Sequence, residues 1–380
     1  MRIEDRLRSE LAGLQKLERK RELRLPQGID VTSNDYLGFT TNAALRERII
    51  EKLQAGMPLG AGGSRLLRGN HRWHEEAEYA FAEFQDVERA LFFSSGYHAN
   101  MAVLSALPTR HDIILYDTMV HASIKEGIRA SLAAKKSFEH NSLQSLREAA
   151  LAYKKEGSDV YVVVESLYSM DGDEAPLKEL ATLCNELGLA LVVDEAHATG
   201  LFGLNGRGLI DECGVRDSVF ISTHPCGKAI GAAGSFVCAS EVVTSYLINK
   251  ARTMIFTTAL PPIVAATIIE VLKELKTSSA FREKVLSNAA FVRQRLQHSL
   301  QKWKVSDGRS PIIPLIVGKD TTACAVADAM LERGFDIRPI RPPTVAEGTS
   351  RFRLTINALH TREQLEELCT AFIELETQHQ

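Results

Sequence analysis

Short apolar runs alternate with amphipathic stretches over the first two thirds of the chain. Runs of this length suit strands that a sheet buries on both faces, and the stretches between them have apolar residues at helical spacing. Four strand-to-helix repeats in succession require a mostly parallel sheet with helices on both faces. The predicted strands are residues 90–93, 112–117, 160–165, 189–193, 219–221 and 235–239, and the predicted helices are residues 73–85, 124–134, 141–156 and 176–187.

The two ends of the chain follow different patterns. Apolar residues recur at helical spacing over residues 3–23, which predicts an amphipathic arm that docks on the main body or on a partner subunit. After residue 241 the alternation stops, and a charged helical stretch at 280–303 leads into an α+β region. Its predicted strands are residues 312–317 and 351–356, and its predicted helices are residues 322–332 and 362–375. We therefore divide the chain into an arm (1–40), a large domain (41–280) and a small C-terminal domain (281–380).

Composition and charge exclude several classes of protein. The 380 residues are 45% hydrophobic and 24% charged with a net charge of −3, so nucleic acid and anionic membranes are not expected partners. No apolar run approaches the length of a membrane span, and the N-terminus lacks a signal-peptide core, so we expect a cytoplasmic protein. The six cysteines lack metal-ligand spacing, which predicts reduced thiols and no structural metal.

A carboxylate, a histidine and a lysine follow two of the predicted strands. Asp194 and His197 come directly after strand 189–193, and Lys228 lies in a glycine-flanked turn after strand 219–221. Ligands of open α/β sheets bind beyond the carboxyl ends of the strands, so these side chains are expected to face one crevice. Taken singly, an Asp-Glu pair is often a helix cap and a Gly-Lys pair only a turn.

Together these side chains match the needs of pyridoxal phosphate chemistry. A buried carboxylate keeps the pyridine nitrogen protonated, which makes the ring an electron sink. A lysine amine forms a Schiff base with the cofactor aldehyde. Asp194 and Lys228 therefore predict a site for this cofactor at the carboxyl edge of the sheet.

Other polar residues also follow predicted strands. Ser95, Gly96 and Tyr97 lie between strand 90–93 and the next helix, where free backbone N–H groups make an anion site. Such a junction is also common as plain architecture. His121 lies beyond the end of strand 112–117.

Two further stretches are rich in loop-forming residues. The glycine-rich, charged residues 60–71 are typical of an ordered functional loop. Asn34 and Asp35 by themselves indicate only a turn.

In order along the chain, these motifs resemble the α-oxoamine synthases, which are fold-type I pyridoxal phosphate enzymes. The resemblance implies an aminotransferase-like α/β fold, with a mostly parallel seven-stranded sheet in the large domain, a small α+β C-terminal domain and a short N-terminal helical arm. It also implies an enzyme that condenses an amino acid with an acyl thioester and releases carbon dioxide. The matching motifs are residues 33–38, 60–71, 95–97, 121–123, 169–173, 194–197, 227–229, 341–345 and 351–355.

The resemblance implies roles around the cofactor ring. Lys228 would hold the cofactor, Asp194 would pair with its ring nitrogen, and His121 would stack on the ring. Ser169 and His197 would lie near its 3′-oxygen. Lys228, His121, Asp194 and His197 are thus the predicted catalytic residues.

The predicted phosphate site departs from the family pattern. Family members have a threonine three residues before the lysine, where this chain has Pro225, which has no N–H to donate. We expect Ser95, Gly96 and Tyr97 to hold the phosphate. Help would come from Thr223 or His224 and from Thr258 of the partner subunit. Ala198 also replaces a usual glycine.

Two stretches distinguish family members by substrate. Residues 64–71 and 341–345 favour those that condense L-alanine with a pimeloyl thioester of coenzyme A or an acyl carrier protein. The resemblance implies that Arg353 receives the amino-acid carboxylate with Asn34, supplied by either subunit, and that Thr344 contacts substrate.

The arginines that complete the substrate site stay open at this point. The candidates for the far pimeloyl carboxylate are Arg65, Arg68 and Arg341. The segment between residues 23 and 31 is shorter than usual, so either Arg21 or Arg24 could fill an arginine role that the family places near there.

Two alternatives remain. The first is a sister enzyme that uses glycine or serine, such as a 2-amino-3-ketobutyrate ligase or a serine palmitoyltransferase. The second is a catalytically silent subunit or a regulator on the same fold. Silent subunits typically lack the lysine, which is present here as Lys228, and 380 residues leave no room for an added DNA-binding module. Residues shared across an interface would make the protein a homodimer.

Overall fold

The computed structural model describes residues 2–17 and 19–379. Within them it has fourteen α-helices and thirteen β-strands. The helices are α1 (Arg2–Lys16), α2 (Ala43–Gln54), α3 (Arg72–Gln85), α4 (Gly96–Ala106), α5 (Ala122–Ala130), α6 (Leu143–Tyr153), α7 (Leu177–Leu187), α8 (Leu209–Cys213), α9 (Glu241–Lys250), α10 (Arg252–Ile255), α11 (Pro262–Thr277), α12 (Ser279–Ser299), α13 (Asp320–Glu332) and α14 (Arg362–Gln378). The strands are β1 (Ile29–Asp30), β2 (Arg89–Phe93), β3 (Ile113–Asp117), β4 (Ala134–Phe138), β5 (Val160–Glu165), β6 (Ala190–Asp194), β7 (Val219–Pro225), β8 (Ser235–Ala239), β9 (Lys304–Val305), β10 (Ile312–Gly318), β11 (Phe335–Asp336), β12 (Pro339–Ile340) and β13 (Ser350–Thr355).

A seven-stranded sheet forms the centre of the molecule, in the order β2-β8-β7-β6-β5-β3-β4. The pairs from β7 to β4 are parallel, while β8 runs antiparallel to both of its neighbours. Every residue of β5 is buried, because helices cover both faces of the sheet. This architecture confirms the predicted fold class.

Of the seven strands in this sheet, the edge strand β4 is the one that the sequence pattern did not predict. Its residues Ala134–Phe138 carry two adjacent lysines and show no apolar run, and the predicted helix ran to residue 134. In the structure α5 ends at Ala130, and the following residues pair with β3 in parallel register. Lysines on an edge strand protect it from pairing with other chains. Because they also replace an apolar run, the sequence pattern of β4 is not that of a buried strand.

A smaller sheet, β12-β13-β10-β9, packs with α12, α13 and α14 around a separate hydrophobic core. Along β13, Phe352 and Leu354 face this core, while Arg351 and Arg353 alternate to the opposite face. The N-terminal segment joins this core through Val31, and β1 pairs in parallel with β11. We propose residues 281–380 as the second domain, completed by residues 29–31.

The N-terminal helix α1 is shorter than the amphipathic pattern predicted, since it ends at Lys16. None of its residues is buried, and its apolar stripe faces solvent at Ile3, Leu7 and Leu11. Helix α1 therefore does not dock on its own chain, which leaves a partner subunit as its predicted surface. No helix in residues 2–17 and 19–379 is long and apolar enough to cross a membrane.

Candidate active site

The carboxyl ends of β2, β5, β6 and β7 surround a cavity of about 260 Å³. Its position agrees with the rule that ligands of open α/β sheets bind beyond the strand ends. The cavity thus brings together seven of the predicted site residues. They are Ser95, Gly96, Tyr97, His121, Asp194, His197 and Lys228.

Asp194 ends β6 and is held by two donors. Its side chain is only 4% exposed. The backbone N–H of Ala196 donates to Oδ1 at 2.9 Å, and Asn100 Nδ2 donates to Oδ2 at 2.7 Å. Two donors on separate oxygens fix the plane of the carboxylate. The carboxylate that the sequence predicted is therefore oriented toward the cavity that Lys228 also lines.

Asn100 is a site residue that the sequence reasoning missed. It lies on α4, one turn after Gly96, so the same helix face supplies both residues to the cavity. Its Oδ1 accepts from the Thr223 hydroxyl at 3.0 Å, and its Nδ2 also donates to Ser123 Oγ at 3.0 Å. Its position one helical turn after Gly96 was the only sequence feature that placed Asn100 near the cavity. A buried amide on a helix has no distinctive sequence pattern of its own.

Glu165 is a second residue that was missed. It ends β5 in register with Asp194 on the neighbouring strand, lines the same cavity and is buried. Its Oε1 has no hydrogen-bond partner among the described residues. Burial, with the nearby Asp194 carboxylate, raises the pKa of Glu165 to about 8. Glu165 therefore binds its proton more tightly than an ordinary carboxyl group does.

Lys228 lies in the turn that follows β7 and is partly buried. Burial lowers the pKa of its ammonium group, while the carboxylates of Asp194 and Glu165 oppose that shift. A lowered pKa increases the fraction of uncharged amine, which is the nucleophilic and basic form. This lysine is therefore suited to covalent chemistry rather than to a surface role.

His121 lines the cavity opposite the strand ends. Its Nδ1 lies 2.8 Å from Ser123 Oγ, and Ser123 in turn contacts Asn100. Burial lowers the pKa of the imidazole, and Asp194 opposes the shift. The start of α5 therefore fixes the imidazole through Nδ1 at the edge of the cavity.

His197 forms a buried pair with Tyr36. The Tyr36 hydroxyl lies 2.7 Å from His197 Nδ1, and the tyrosine is fully buried. Burial raises the pKa of Tyr36 to about 12, so it remains a hydroxyl. Burial, followed by the charges of Lys228 and Arg353, lowers the pKa of His197 well below its usual value. One hydrogen bond thus joins the Tyr36 hydroxyl to His197 Nδ1, and its direction depends on the imidazole tautomer.

Arg353 and Asn34 meet beside this pair within one chain. Arg353 Nη2 donates to Asn34 Oδ1 at 2.9 Å, and its Nε donates to the Ser169 carbonyl. Asn34 thus reaches Arg353 without a second subunit. The remaining hydrogen-bonding capacity of the guanidinium suits a carboxylate, which prefers a planar, two-pronged donor.

The N-terminus of α4 lines one end of the cavity. Ser95 caps the helix, and the first-turn N–H groups lack partners within the helix. A Cβ atom on Gly96 would lie 2.6 Å from Pro225 Cγ, so this close approach requires glycine. Pro225 therefore packs against the helix start and lines the cavity without donating to it.

Thr223 and His224 do not line this cavity. The Thr223 hydroxyl donates to Asn100, and His224 contacts Thr199 and Ser222 in the interior. Within one chain, the Thr223 hydroxyl therefore holds Asn100, which in turn contacts Asp194, and does not bind an anion. His224 is fully buried, and burial lowers its pKa well below the usual value.

Two predicted contacts lie outside the cavity. Thr258 pairs with Ser64 on the 60–71 loop, in a separate small pocket. Thr344 accepts a long hydrogen bond of 3.4 Å from Arg21, which brings one of the two N-terminal arginine candidates to the predicted substrate residue. Arg65 is committed to a two-pronged ion pair with Glu78.

Comparisons with known proteins agree with this geometry. The family model described as aminotransferase class I and II matches residues 26–372. An 8-amino-7-oxononanoate synthase of Lysinibacillus sphaericus is 36% identical over 377 residues, covering 96% of each chain.

Two solved structures share the fold. Serine palmitoyltransferase from S. paucimobilis, with a bound PLP-myriocin aldimine, has a TM-score of 0.90 at 28% identity and covers 98% of this chain and 97% of its own. The 8-amino-7-oxononanoate synthase of Francisella tularensis has a TM-score of 0.78 at 29% identity and covers 93% and 98%. These findings confirm the resemblance read from the motifs. The chain therefore belongs to the aminotransferase class I and II family, and it is similar to 8-amino-7-oxononanoate synthases over nearly its whole length.

Proposed function

We propose that this protein is a pyridoxal phosphate-dependent acyltransferase that condenses L-alanine with a pimeloyl thioester. The products are 8-amino-7-oxononanoate, carbon dioxide and the free thiol, with one proton taken up by the thiolate. The cavity that combines Asp194, Lys228 and His121 carries the proposal for the reaction type. Similarity to relatives of that name, at 36–37% identity over most of the chain, supports alanine and the pimeloyl group as substrates.

The residues around the cavity fit pyridoxal phosphate. Asp194 is a buried, oriented carboxylate for the ring nitrogen, Lys228 is an amine of lowered pKa for the aldehyde, and the α4 N-terminus suits the phosphate. When bound, the cofactor supplies an aldehyde for amines and a protonated ring that accepts electrons from the substrate Cα atom. Asn100, fixed by Thr223, positions Asp194 for this contact.

Residues of this chain bind and orient the substrates. Arg353 and Asn34 hold the alanine carboxylate until it leaves as carbon dioxide. Lys228 Nζ takes the proton from the alanine Cα atom. The Nε2–H of His197 donates to the thioester oxygen, where negative charge develops during acyl transfer. This role requires the tautomer in which the Tyr36 hydroxyl donates to Nδ1 and the imidazole proton lies on Nε2.

The second part of the proposal is a homodimer. Exposed apolar side chains concentrate on two segments joined by the Ser64–Thr258 bridge, at Leu66, Leu67 and Phe256. Apolar surface of this kind, together with the unpacked stripe of α1, is typical of a protein–protein interface. A second subunit would cover these segments and would bring Thr258 of the partner subunit to the phosphate end of the cavity.

The sister activities are the second candidate, because two serine palmitoyltransferase structures match with TM-scores of 0.88 and 0.91. Their identities of 30% and 28% are lower than the 36–37% of the 8-amino-7-oxononanoate synthase sequences, although the solved Francisella tularensis enzyme is 29% identical. The catalytically silent alternative is disfavoured by Lys228, whose altered pKa suits covalent chemistry.

A substrate panel tests the proposal. The purified protein, loaded with pyridoxal phosphate, is assayed with alanine, glycine and serine against pimeloyl, acetyl and palmitoyl thioesters, with products identified by mass. We expect alanine with pimeloyl thioester to give the highest kcat/KM. A higher value for glycine with acetyl thioester or serine with palmitoyl thioester would assign the protein to a sister activity.

An Arg353→Lys variant tests the carboxylate site in the same assay. Lysine keeps the charge but cannot form the two-pronged contact, so the KM for alanine should rise about 10- to 100-fold. The KM for the thioester should change little. An unchanged alanine KM would remove Arg353 from the proposed site.

A further inference from the structure

His140 lies between two carboxylates outside the cavity. Its Nδ1 is 2.9 Å from Asp117 Oδ1, and its Nε2 is 2.8 Å from Asp173 Oδ2. The Tyr168 ring packs edge-on against the imidazole. We call Asp117, His140 and Asp173 the His140 clamp. It joins the end of β3 to the loop that follows β5.

Both ring nitrogens of His140 face carboxylate oxygens, so both must carry a proton for the contacts to be hydrogen bonds. Hydrogen bonds to Asp117 and Asp173 raise the pKa of His140 to about 10, against the effect of burial. Asn141 supports the same geometry, since its backbone N–H donates to Asp117 and its Nδ2 donates to Asp173. At neutral pH the clamp is therefore an imidazolium between two carboxylates.

The loop held by the clamp, residues 166–174, contacts the C-terminal sheet region on its other side. Arg351 Nη1 donates to Asp171 Oδ1 at 2.6 Å, and Arg353 Nε donates to the Ser169 carbonyl. The Ser310 hydroxyl donates to the Gly172 carbonyl at 2.7 Å. The loop thus lies between the clamp and the arginine that the proposed function assigns to the alanine carboxylate.

We propose that His140 is a positioning residue for the amino-acid substrate. Through the 166–174 loop it fixes the Ser169 carbonyl, which holds Arg353 Nε and leaves the other guanidinium nitrogens aligned toward Asn34 and the substrate. Loss of the imidazolium leaves Asp117 and Asp173 facing each other without a cation, so the loop moves. Arg353 then loses its contact with the Ser169 carbonyl and keeps those with Thr355 Oγ1 and Asn34 Oδ1. This inference rests on the proposed function, because it names alanine as the ligand of Arg353.

The test compares His140→Gln with the double variant His140→Gln/Asp173→Asn. Glutamine can bond only part of the clamp, so the alanine KM should rise about tenfold while kcat falls less. Replacing Asp173 with asparagine removes the repulsion between the carboxylates, so the double variant should recover part of the lost affinity. The thioester KM and the cofactor affinity should stay near wild-type values in both variants.

Glu376→Gln is the matched control for instability. The Glu376 carboxylate accepts from the backbone N–H groups of Gln301, Lys302 and Trp303, far from the loop in sequence. This variant should lower the unfolding temperature without changing the alanine KM. If His140→Gln changes stability in the same way and leaves the alanine KM unaltered, His140 is only structural.

A second measurement needs neither alanine turnover nor the cofactor. In protein labelled with ¹⁵N-histidine, the two ring nitrogens of His140 should keep imidazolium shifts at pH 8, where an ordinary histidine is neutral. Amide exchange at Tyr168 and Gly172, whose N–H groups bond within the loop, should accelerate in His140→Gln. A neutral His140 at pH 8 would overturn the inference. A wild type that binds no alanine would instead contradict the proposed function while leaving the clamp intact.

Discussion

The two ends of the cavity are built differently. At the ring end, which comprises Asp194, Asn100, Thr223, Glu165 and Ser123, every residue is buried, and the hydrogen bonds come from one chain. At the outer end, which comprises residues 60–71, 95–97 and 258, much of the surface is exposed, and residues 95–97 line the cavity of one chain whereas the 60–71 loop and Thr258 do not. We therefore propose that one chain completes the end for the cofactor ring but not the end for the phosphate and the acyl group.

The two ends differ because different kinds of secondary structure supply their residues. Strand ends and a helix in one sheet fix the ring end, so its geometry is set as soon as the sheet forms. The outer end consists of loops whose apolar side chains, such as Leu67 at 86% exposed, lack a packing surface in one chain. Changes at the ring end should therefore affect chemistry, while changes at the outer end should affect assembly first.

The largest effect is expected from Lys228→Ala. Loss of the amine that holds the cofactor and moves the Cα proton should lower turnover at least about 10⁴-fold. The fold should persist, because the Lys228 side chain is only partly buried and lies in the turn after β7. Borohydride reduction of the loaded wild type, followed by peptide mapping, should place the label on Lys228, and a label on another lysine would contradict the assignment.

Asp194→Asn and Asn100→Ala compare the carboxylate with the residue that positions it. Asparagine at 194 cannot keep the ring nitrogen protonated, so kcat should fall about 10²- to 10³-fold with cofactor still bound. Asn100→Ala leaves the charge but frees the carboxylate, and kcat should fall about tenfold. Thr223→Val should resemble Asn100→Ala, and Thr223→Ser should restore activity. Equal losses for Asp194→Asn and Asn100→Ala would contradict this order.

The sequence predicted the ring end better than the rest. Asp194 and Lys228 follow strongly apolar strands, so both the strand and the functional residue were readable from the pattern. Asn100 was missed because a buried amide on a helix has no local signature. Glu165 ends β5 as Asp194 ends β6, so the strand-end rule that found Asp194 also applied to Glu165. Likewise β4 was missed because an edge strand rich in lysine shows no apolar run. These features depend on neighbours that are distant in sequence.

At the outer end of the cavity, a substitution should first disrupt the association of the subunits. Leu67→Asp introduces charge into the proposed interface, and we expect the assembly to dissociate to the 42.0 kDa monomer in analytical ultracentrifugation. Leu132→Asp is the matched control, since Leu132 is also an exposed leucine, at 76%, and follows α5 far from the 60–71 loop. Cofactor affinity should fall with dissociation if Thr258 of the partner subunit contributes. A monomeric wild type would remove the homodimer from the proposal.

The smallest effect concerns the pH dependence of stability at the His140 clamp. The pKa of His140 is about 10 in the folded protein and about 6.5 in an unfolded chain, so the folded state binds the proton more tightly. The stabilisation is therefore fully present below about pH 6.5 and is lost as the pH rises toward 10. Water reaches the edge of the ring, so we expect a contribution of only about 1–2 kcal/mol to the free energy of unfolding. The difference in unfolding free energy between wild type and His140→Gln, measured by urea denaturation, should shrink steadily from pH 6.5 to pH 10. Because Asp117 and Asp173 face the imidazole directly, Asp173→Asn should reduce that slope, and a difference that grows with pH would show that His140 is neutral in the folded protein.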